Sequence, residues 1–599
     1  MIVRASFVLL ALLLSGQAFC MNSWPEAESA CYRASSQKEL DALPDTITSL
    51  YLMRWSDEAR VVQLDRFKQL DRLVYWGGVS GTDDKPWFRA PSSVKDFRIE
   101  GGDESFAILL ASLRPASKLT ELHVNCSVLF VDADCDLAQL SELSKLSISA
   151  FRVAREGTTV ADYSPADEAK VAGDWVRRLA SLPAAECLWL DIPASPDVAA
   201  EAISGMPKLT SFGGTSIGNE YLAALAKKHS PIEELNLAGN TRVTDQGLKS
   251  LASLPGLKVL NLTGCSRIGD YAIPYIAAIP NLESLNISAA TGEYDKSLPR
   301  PMRMVEYPGA KDDKDGFKRV FRLQDPELLK RLGEAKTLRT LIIRCVTTIT
   351  TSTIAAIVSK LENLETLDLS SCVPKEGDPV VNGSKSGILS DTSSLSFLAD
   401  HKKLKAVIMN GYASNHETRP SPATDAALKA LAQSKTITHI SLDNAELISL
   451  AAIRSLSNME QLTSLSMYSV SVEGNLSDTL TAFANLVSLS IDARAGRNDV
   501  DVGALYRMPK LKRLQIEVLS YSILANESIG QSGLTELDVT CYPGDGWSEV
   551  TELARKLSKL RSLRLYPLPE SEKGATEENN FRSEIEKVRK TLELRLVRR

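Results

Sequence analysis

Histidine is scarce in this chain of 599 residues, with five in all, and none stands beside a second ligand at metal-binding spacing. Cys-x-x-Cys pairs, a His-Glu-x-x-His helix, a phosphate-cradling loop and a dinucleotide fingerprint are all missing. The acidic run at 312–316 lacks the ligand periodicity of a calcium loop. No metal and no cofactor is therefore expected. The formal charge of −6 offers no basic face, so nucleic acid is not an expected partner. Aromatics make up 6%, which leaves few of the large anchors that dominate binding surfaces. Long apolar runs are also absent: beyond residue 14 nothing approaches the ~18 residues of a membrane span.

What is present begins with a separate N-terminal segment. Arg4 precedes the ten-residue run Ala5 to Leu14, and the small residues Ser15-Gly16-Gln17-Ala18 follow. This is the layout of a secretory signal peptide over residues 1–18, with Gly16 and Ala18 placed for cleavage before Phe19. The mature chain is thus expected to be exported: secreted, periplasmic or associated with the cell envelope. An uncleaved anchor is the alternative reading.

A short beat then recurs. Leu235-Asn236-Leu237, Leu260-Asn261-Leu262 and Leu285-Asn286-Ile287 follow one another at steps of 25 residues. Taking the first strand leucine, or its substitute, as a mark gives the series 50, 73, 97, 122, 146, 188, 212, 235, 260, 285, 341, 367, 407, 440, 465, 489, 514, 537 and 563. Fourteen of its eighteen steps lie between 23 and 26 residues, which identifies a repeat array rather than a set of globular domains. Each mark sits in an alternating segment such as Leu119-Thr120-Glu121-Leu122-His123-Val124, the pattern of a half-buried strand. Between strands, Leu248, Leu251 and Leu254 fall on one helical face, with Thr244 or Asp245 as N-cap and Pro255 as stop.

The stretch Ile232 to Ile287 resembles the cysteine-containing and ribonuclease-inhibitor-like classes of leucine-rich repeat. Val243-Thr244-Asp245-Gln246-Gly247-Leu248 is similar to the T-D-x-G-L signature of those classes and of bacterial GALA-type arrays. The resemblance implies an α/β solenoid, a curved horseshoe with parallel strands on the concave side and helices on the convex side. It also implies that Asn240, Cys265 and Cys372 occupy an inward slot that bonds the backbone of a neighbouring coil. Cys126, Cys345 and Cys541, one position earlier, are expected to be buried thiols as well. Cys20 and Cys31 precede the first mark, where a bridge closing an N-terminal cap is expected. Cys135 and Cys187 have no assignment.

The mature chain then divides into a cap over 19–46, the array over 47–570 and a C-terminal capping helix over 571–599. The helix is suggested by Phe581, Ile585, Val588, Leu592 and Leu596. Four insertions interrupt the period near 151–178, 290–320, 373–400 and 411–424. They read as loops, with a helix around Trp175 and room for a degenerate repeat within 290–320.

Two surfaces are candidates for recognition. Polar residues flanking the second strand leucine point to the concave face, among them Asn236, Asn261, Asn286, Asp368, Tyr468 and Asp492. Tyr51, Trp55, Tyr75 and Trp76 gather at the first repeats, either as a binding patch or as the closure of the cap. His123 and His439 neighbour strand marks. The leading reading is a non-enzymatic scaffold that binds another protein; a carbohydrate or cell-wall binder is the alternative. Gly214-Thr215-Ser216-Ile217-Gly218 matches a serine-hydrolase elbow literally, but it coincides with a repeat turn and has no patterned His or Asp partner.

Overall fold

The computed structural model describes residues 31–596 outside 54–61, 78–87, 132–136, 138–139, 156, 159–162, 229, 289–322, 324, 347–348, 373–394, 414–417, 420, 447, 471, 494–499, 525–526, 542–546, 567–574 and 590. These residues divide into two compact units. One holds the residues up to Arg267 with Lys573–Asn579, and the other runs from Ile268, including the chain from Asn580 onward.

Each unit is built on a parallel ladder whose register follows the marks. In the first unit Leu50 lies opposite Leu73, then Phe97, Leu122, Leu146, Leu188, Phe212, Leu235 and Leu260 follow in turn. In the second, Leu285 pairs with Leu341, followed by Leu367, Val407, Ile440, Leu465, Leu489, Leu514, Leu537 and Leu563. All nineteen marks are at most 2% exposed, so each ladder carries an unbroken apolar spine. Parallel strands need a crossover of a dozen or more residues, and the helical segments supply it. In one such segment the α-helix Asp245–Leu248 tightens into the 3-10 turn Lys249–Ser253, burying Leu248, Leu251 and Leu254 completely. This is the expected leucine-rich-repeat solenoid.

The inward slot behaves as the resemblance implied. Asn240 Nδ2 donates to the carbonyls of Gly214 at 2.7 Å and Leu237 at 2.8 Å. The Cys265 thiol donates to Leu237 O at 3.0 Å, and the Cys372 thiol to Ile343 O at 2.6 Å. Burial pushes the Cys265 thiol up to about 12, so it serves as a hydrogen-bond donor and not as a nucleophile. Cys126 and Cys541 are buried too, but Cys345 is half-exposed. It occupies a left-handed turn (φ 58°) that Gly239 and Gly264 fill in earlier coils.

Several boundaries differ from the sequence reading. The ladder begins before residue 47, because Tyr32–Ala34 already pairs with Leu50–Leu52. The cap helix is Gln37–Asp41, with Ser36 accepting from Glu39 N at 3.3 Å. The insertion at 151–178 is not a loop. The strand Lys145–Arg155 runs into it, and the helix Pro165–Leu179 follows behind a Ser164/Asp167 capping box. That helix buries Trp175 edge-on to Phe106, with ring centroids 5.0 Å apart. In the insertion at 411–424, Tyr412–Ala413 and Thr418–Arg419 form a short antiparallel pair. Leu285 pairs directly with Leu341, so the ladder holds no hidden repeat between them. Residues 289–322 and 373–394 lie outside the described residues.

The tail is the clearest correction. The helix ends at Val588, and Glu593–Leu596 forms a further strand against Ser562–Leu565. Leu592, Leu594 and Leu596 alternate as a strand requires, whereas the spacing of Leu592 and Leu596 alone also fits a helix. Arg589 secures the junction by donating to the carbonyls of Ala554, Leu557 and Leu560.

Candidate functional site on the strand face

The polar strand-face residues mostly bond their own turns. Asn236 Oδ1 accepts from Ala238 N at 3.0 Å. Asn261 Oδ1 accepts from Thr263 N at 3.0 Å and Thr263 Oγ1 at 2.7 Å, and Asn286 Oδ1 takes the same two bonds from Ser288. Asp368 is fully buried; its Oδ1 accepts from Ser370 N and Oγ, and its Oδ2 from Arg344 Nε at 2.6 Å. Such side chains close the strand end as Asx turns do. Asn236, Asn261, Asn286 and Asp368 are thus placed as structural acceptors. Tyr468 is half-buried, and its backbone N–H donates to Asp443 Oδ1 at 2.8 Å; Asp492 is fully buried.

Asp443 shows the electrostatic consequence. Burial pushes its carboxyl above the usual range, against hydrogen bonds from Ser466, Tyr468 N and Ser441. A raised folded pKa means a stability contribution present below the unfolded value of ~3.9 and lost as pH rises through the folded one. Asn410 takes equivalent bonds one coil earlier, from Ser441 Oγ and Asp443 N, both at 2.8 Å. Asp443→Asn should therefore gain stability relative to the native chain as pH rises above ~3.9. Thermal unfolding on both sides of that value checks it, and parallel curves would refute it.

The first repeats carry a different arrangement, a band of alternating charge. Their ladder places Arg72 opposite Asp96, Asp96 opposite Glu121, and Glu121 opposite Lys145, with Arg98 opposite His123 two residues along. Asp96 accepts from Arg72 Nε at 2.8 Å and from Arg98 Nε at 3.0 Å. Glu121 accepts from Lys145 Nζ at 2.7 Å. Burial alone would raise the Asp96 carboxyl, but Arg98, His123 and Arg72 together hold it below its ordinary value. Glu121 is held down to about 2, first by the His123 imidazole beside it and then, against burial, by Lys145. His123 is 4% exposed, and burial followed by the Arg98 charge pushes its pKa below the ordinary value. Its Nε2 lies 3.7 Å from Glu121 Oε2, too far for a hydrogen bond, and has no hydrogen-bond partner.

Asp96, Glu121 and His123 bring ligand-type atoms within 4.8 Å of one another, the one such grouping among the described residues. The fit to a metal is poor. Both carboxylates already hold cations, and with His123 neutral the six groups sum to +1, so a dication would have to displace buried Arg98.

The expected aromatic patch separates. Tyr75 faces inward, its ring centroid 5.9 Å from Phe88, and burial pushes its hydroxyl up to about 12. Strand parity explains this, since Leu73 and Tyr75 share a face. Tyr51 is buried with Cys31 and Val74, the Arg33 guanidinium 4.9 Å above its ring. Cys31 is buried and packed into that cluster; Cys20, its expected bridge partner, lies outside the described residues, as does Trp55. Cys187, unassigned from sequence, is disulfide-bonded to a cysteine outside the described residues. Among the described members of the patch Trp76 alone is exposed, at 39%, and the sequence reading missed Phe151, at 61%. Both continue the strand-face parity past the charged band, Trp76 at the end of its strand and Phe151 within Lys145–Arg155, and their exposure has no periodic signal.

The serine motif belongs to a turn. Ser216 Oγ donates to Asp191 Oδ1 at 2.5 Å, and Thr215 Oγ1 to Oδ2. An acid bonded directly to the serine leaves no imidazole between them as base. No helix among the described residues is long and apolar enough to cross a membrane.

Comparison with known proteins agrees at the level of architecture. A leucine-rich-repeat family model matches residues 228–252. No curated protein matches the chain. Among solved structures, the Rad7–Elc1 complex from yeast is similar at 16% identity, covering 66% of this chain and 89% of that one, with a TM-score of 0.38. An internalin (inlF) from Listeria monocytogenes matches at 14%, over 80% and 88%, with a TM-score of 0.29. A TLR13–ssRNA13 complex matches at 16%, over 90% and 65%, with a TM-score of 0.37. The fold itself rests on the strand register described above.

Proposed function

We propose that this leucine-rich-repeat protein is an exported, non-enzymatic scaffold that recognises another protein through exposed aromatic side chains on the strand face of its first unit. One observation carries the reading: Asn236, Asn261, Asn286 and Asp368 are engaged in their own turns, whereas Trp76 and Phe151 remain open to solvent. Exposed aromatics anchor binding more effectively than small polar groups that already have partners. From Trp76 the paired row runs through Glu100, Asn125 and Ser149, and Phe151 lies two residues beyond Ser149 on the same strand. Export is supported by the signal-like residues 1–18 and by the disulfide at Cys187, a bond typical of oxidising compartments.

The test is site-specific photocrosslinking of the full chain in its native host, with the probe at position 76, 151 or 519. Leu519, 44% exposed in the second unit, is the control. The reading expects one protein adduct of common mass from 76 and 151 and none from 519. Equal yield at 519, or no adduct at 76 and 151, overturns it.

A further inference from the structure

We propose that His123 makes the strand face of the first unit acid-sensitive, one proton at its buried Nε2 turning a nearly balanced ion network into an excess of positive charge. The geometry is specific. Nε2 has no hydrogen-bond partner and stands 3.7 Å from Glu121 Oε2, a gap that neither bonds nor separates the two groups. The charged groups around it lie on its own strand and both adjacent ones: Asp96 and Arg98 on one side, Glu121 on its own, and Lys145 on the other, with Arg72 one strand further bonding Asp96. Arg98, 1% exposed, sits directly opposite in the ladder and bonds Asp96.

With His123 neutral, three cations face two carboxylates, and protonation leaves four against two in a buried setting. The new cation cannot be screened by solvent there, and Arg98 cannot retreat without abandoning Asp96. Drawing Nε2–H onto Glu121 would weaken the 2.7 Å bond between Glu121 and Lys145. The folded state therefore resists a proton that the unfolded chain takes up freely near pH ~6.5. Stability of this face falls as pH drops below that value. Because an imidazole is involved, the effect lies between neutral and mildly acidic pH, above the range in which Asp96 and Glu121 titrate.

Residue-resolved hydrogen exchange of the full chain at pH 7.5, 6 and 5, corrected for intrinsic rates, tests this in the native protein and in His123→Phe and His123→Gln. The expected result is a several-fold rise in exchange at Asp96–Glu100 and 121–125 on acidification in the native chain, flattened in both variants. Strands 464–467 and 488–492 of the second unit should change alike in all three. A carbon-13 titration of His123 in the native protein, with a midpoint below ~6.5, provides the second readout should a variant fail to fold. Identical pH profiles for native and variant chains, or a His123 midpoint at or above that value, overturns the proposal.

Discussion

Arg98→Met should lower the stability of the first unit by roughly 2–3 kcal/mol, because the buried Asp96 carboxylate loses its bonds from Arg98 and keeps only the part-exposed Arg72 as a cation partner. Arg98 is 1% exposed and bonds Asp96, itself nearly buried, through Nε and Nη2. Methionine retains much of the side-chain volume, so the loss reports charge more than packing. Arg72 provides the comparison. It bonds the same carboxylate from a side chain 30% exposed, where water screens the pair, and Arg72→Met should cost no more than about 1 kcal/mol. Urea unfolding of the two variants side by side decides the matter. Equal losses would mean that the network behaves as an exposed salt-bridge cluster.

Phe97→Ala should cost about 3–5 kcal/mol, the usual range for removing a fully buried aromatic ring. Phe97 stands where most coils have leucine, is completely buried, and stacks on Phe88 with centroids 5.5 Å apart. Phe88 in turn leans on Tyr75, so the ring closes a three-residue aromatic stack specific to this coil. Phe97→Leu restores the repeat consensus and most of the volume, and it should cost less than about 1.5 kcal/mol. The contrast between alanine and leucine separates the repeat's need for an apolar mark from the local need for a ring. Thermal unfolding of both variants measures it, and equal losses would show that the stack, not the mark, carries the energy.

The marks and the helix at Trp175 were legible from sequence pattern, and the inward Asn/Cys slot from the resemblance to leucine-rich repeats. The meaning of the polar strand face was not. Asn236 and Asn261 alternate with leucines just as ligand-binding residues would, and alternation reports which face a side chain occupies, not what it bonds. A local signal did exist: asparagine readily accepts from the backbone two residues on, and Thr263 and Ser288 stand at that offset. Tyr75 was misplaced by its company with Trp76, although the parity of Leu73 already assigned it to the core. The tail misled because Phe581 to Leu596 satisfies a helical period up to Val588 and a strand period after it. The charged band joins residues from Arg72 to Lys145 through the ladder, and only the register brings them together.

The most direct test of the whole account is the urea stability of the double variant Asn236→Ala/Asn261→Ala. If these side chains close their own turns, each loses buried hydrogen bonding worth about 1 kcal/mol. Asn236 stands directly opposite Asn261 in the ladder, so the two losses couple, and the double variant should lose between about 1 and about 2 kcal/mol. A change within about 0.5 kcal/mol, as for ordinary surface positions, would contradict the account and return the strand face to the role of recognition surface.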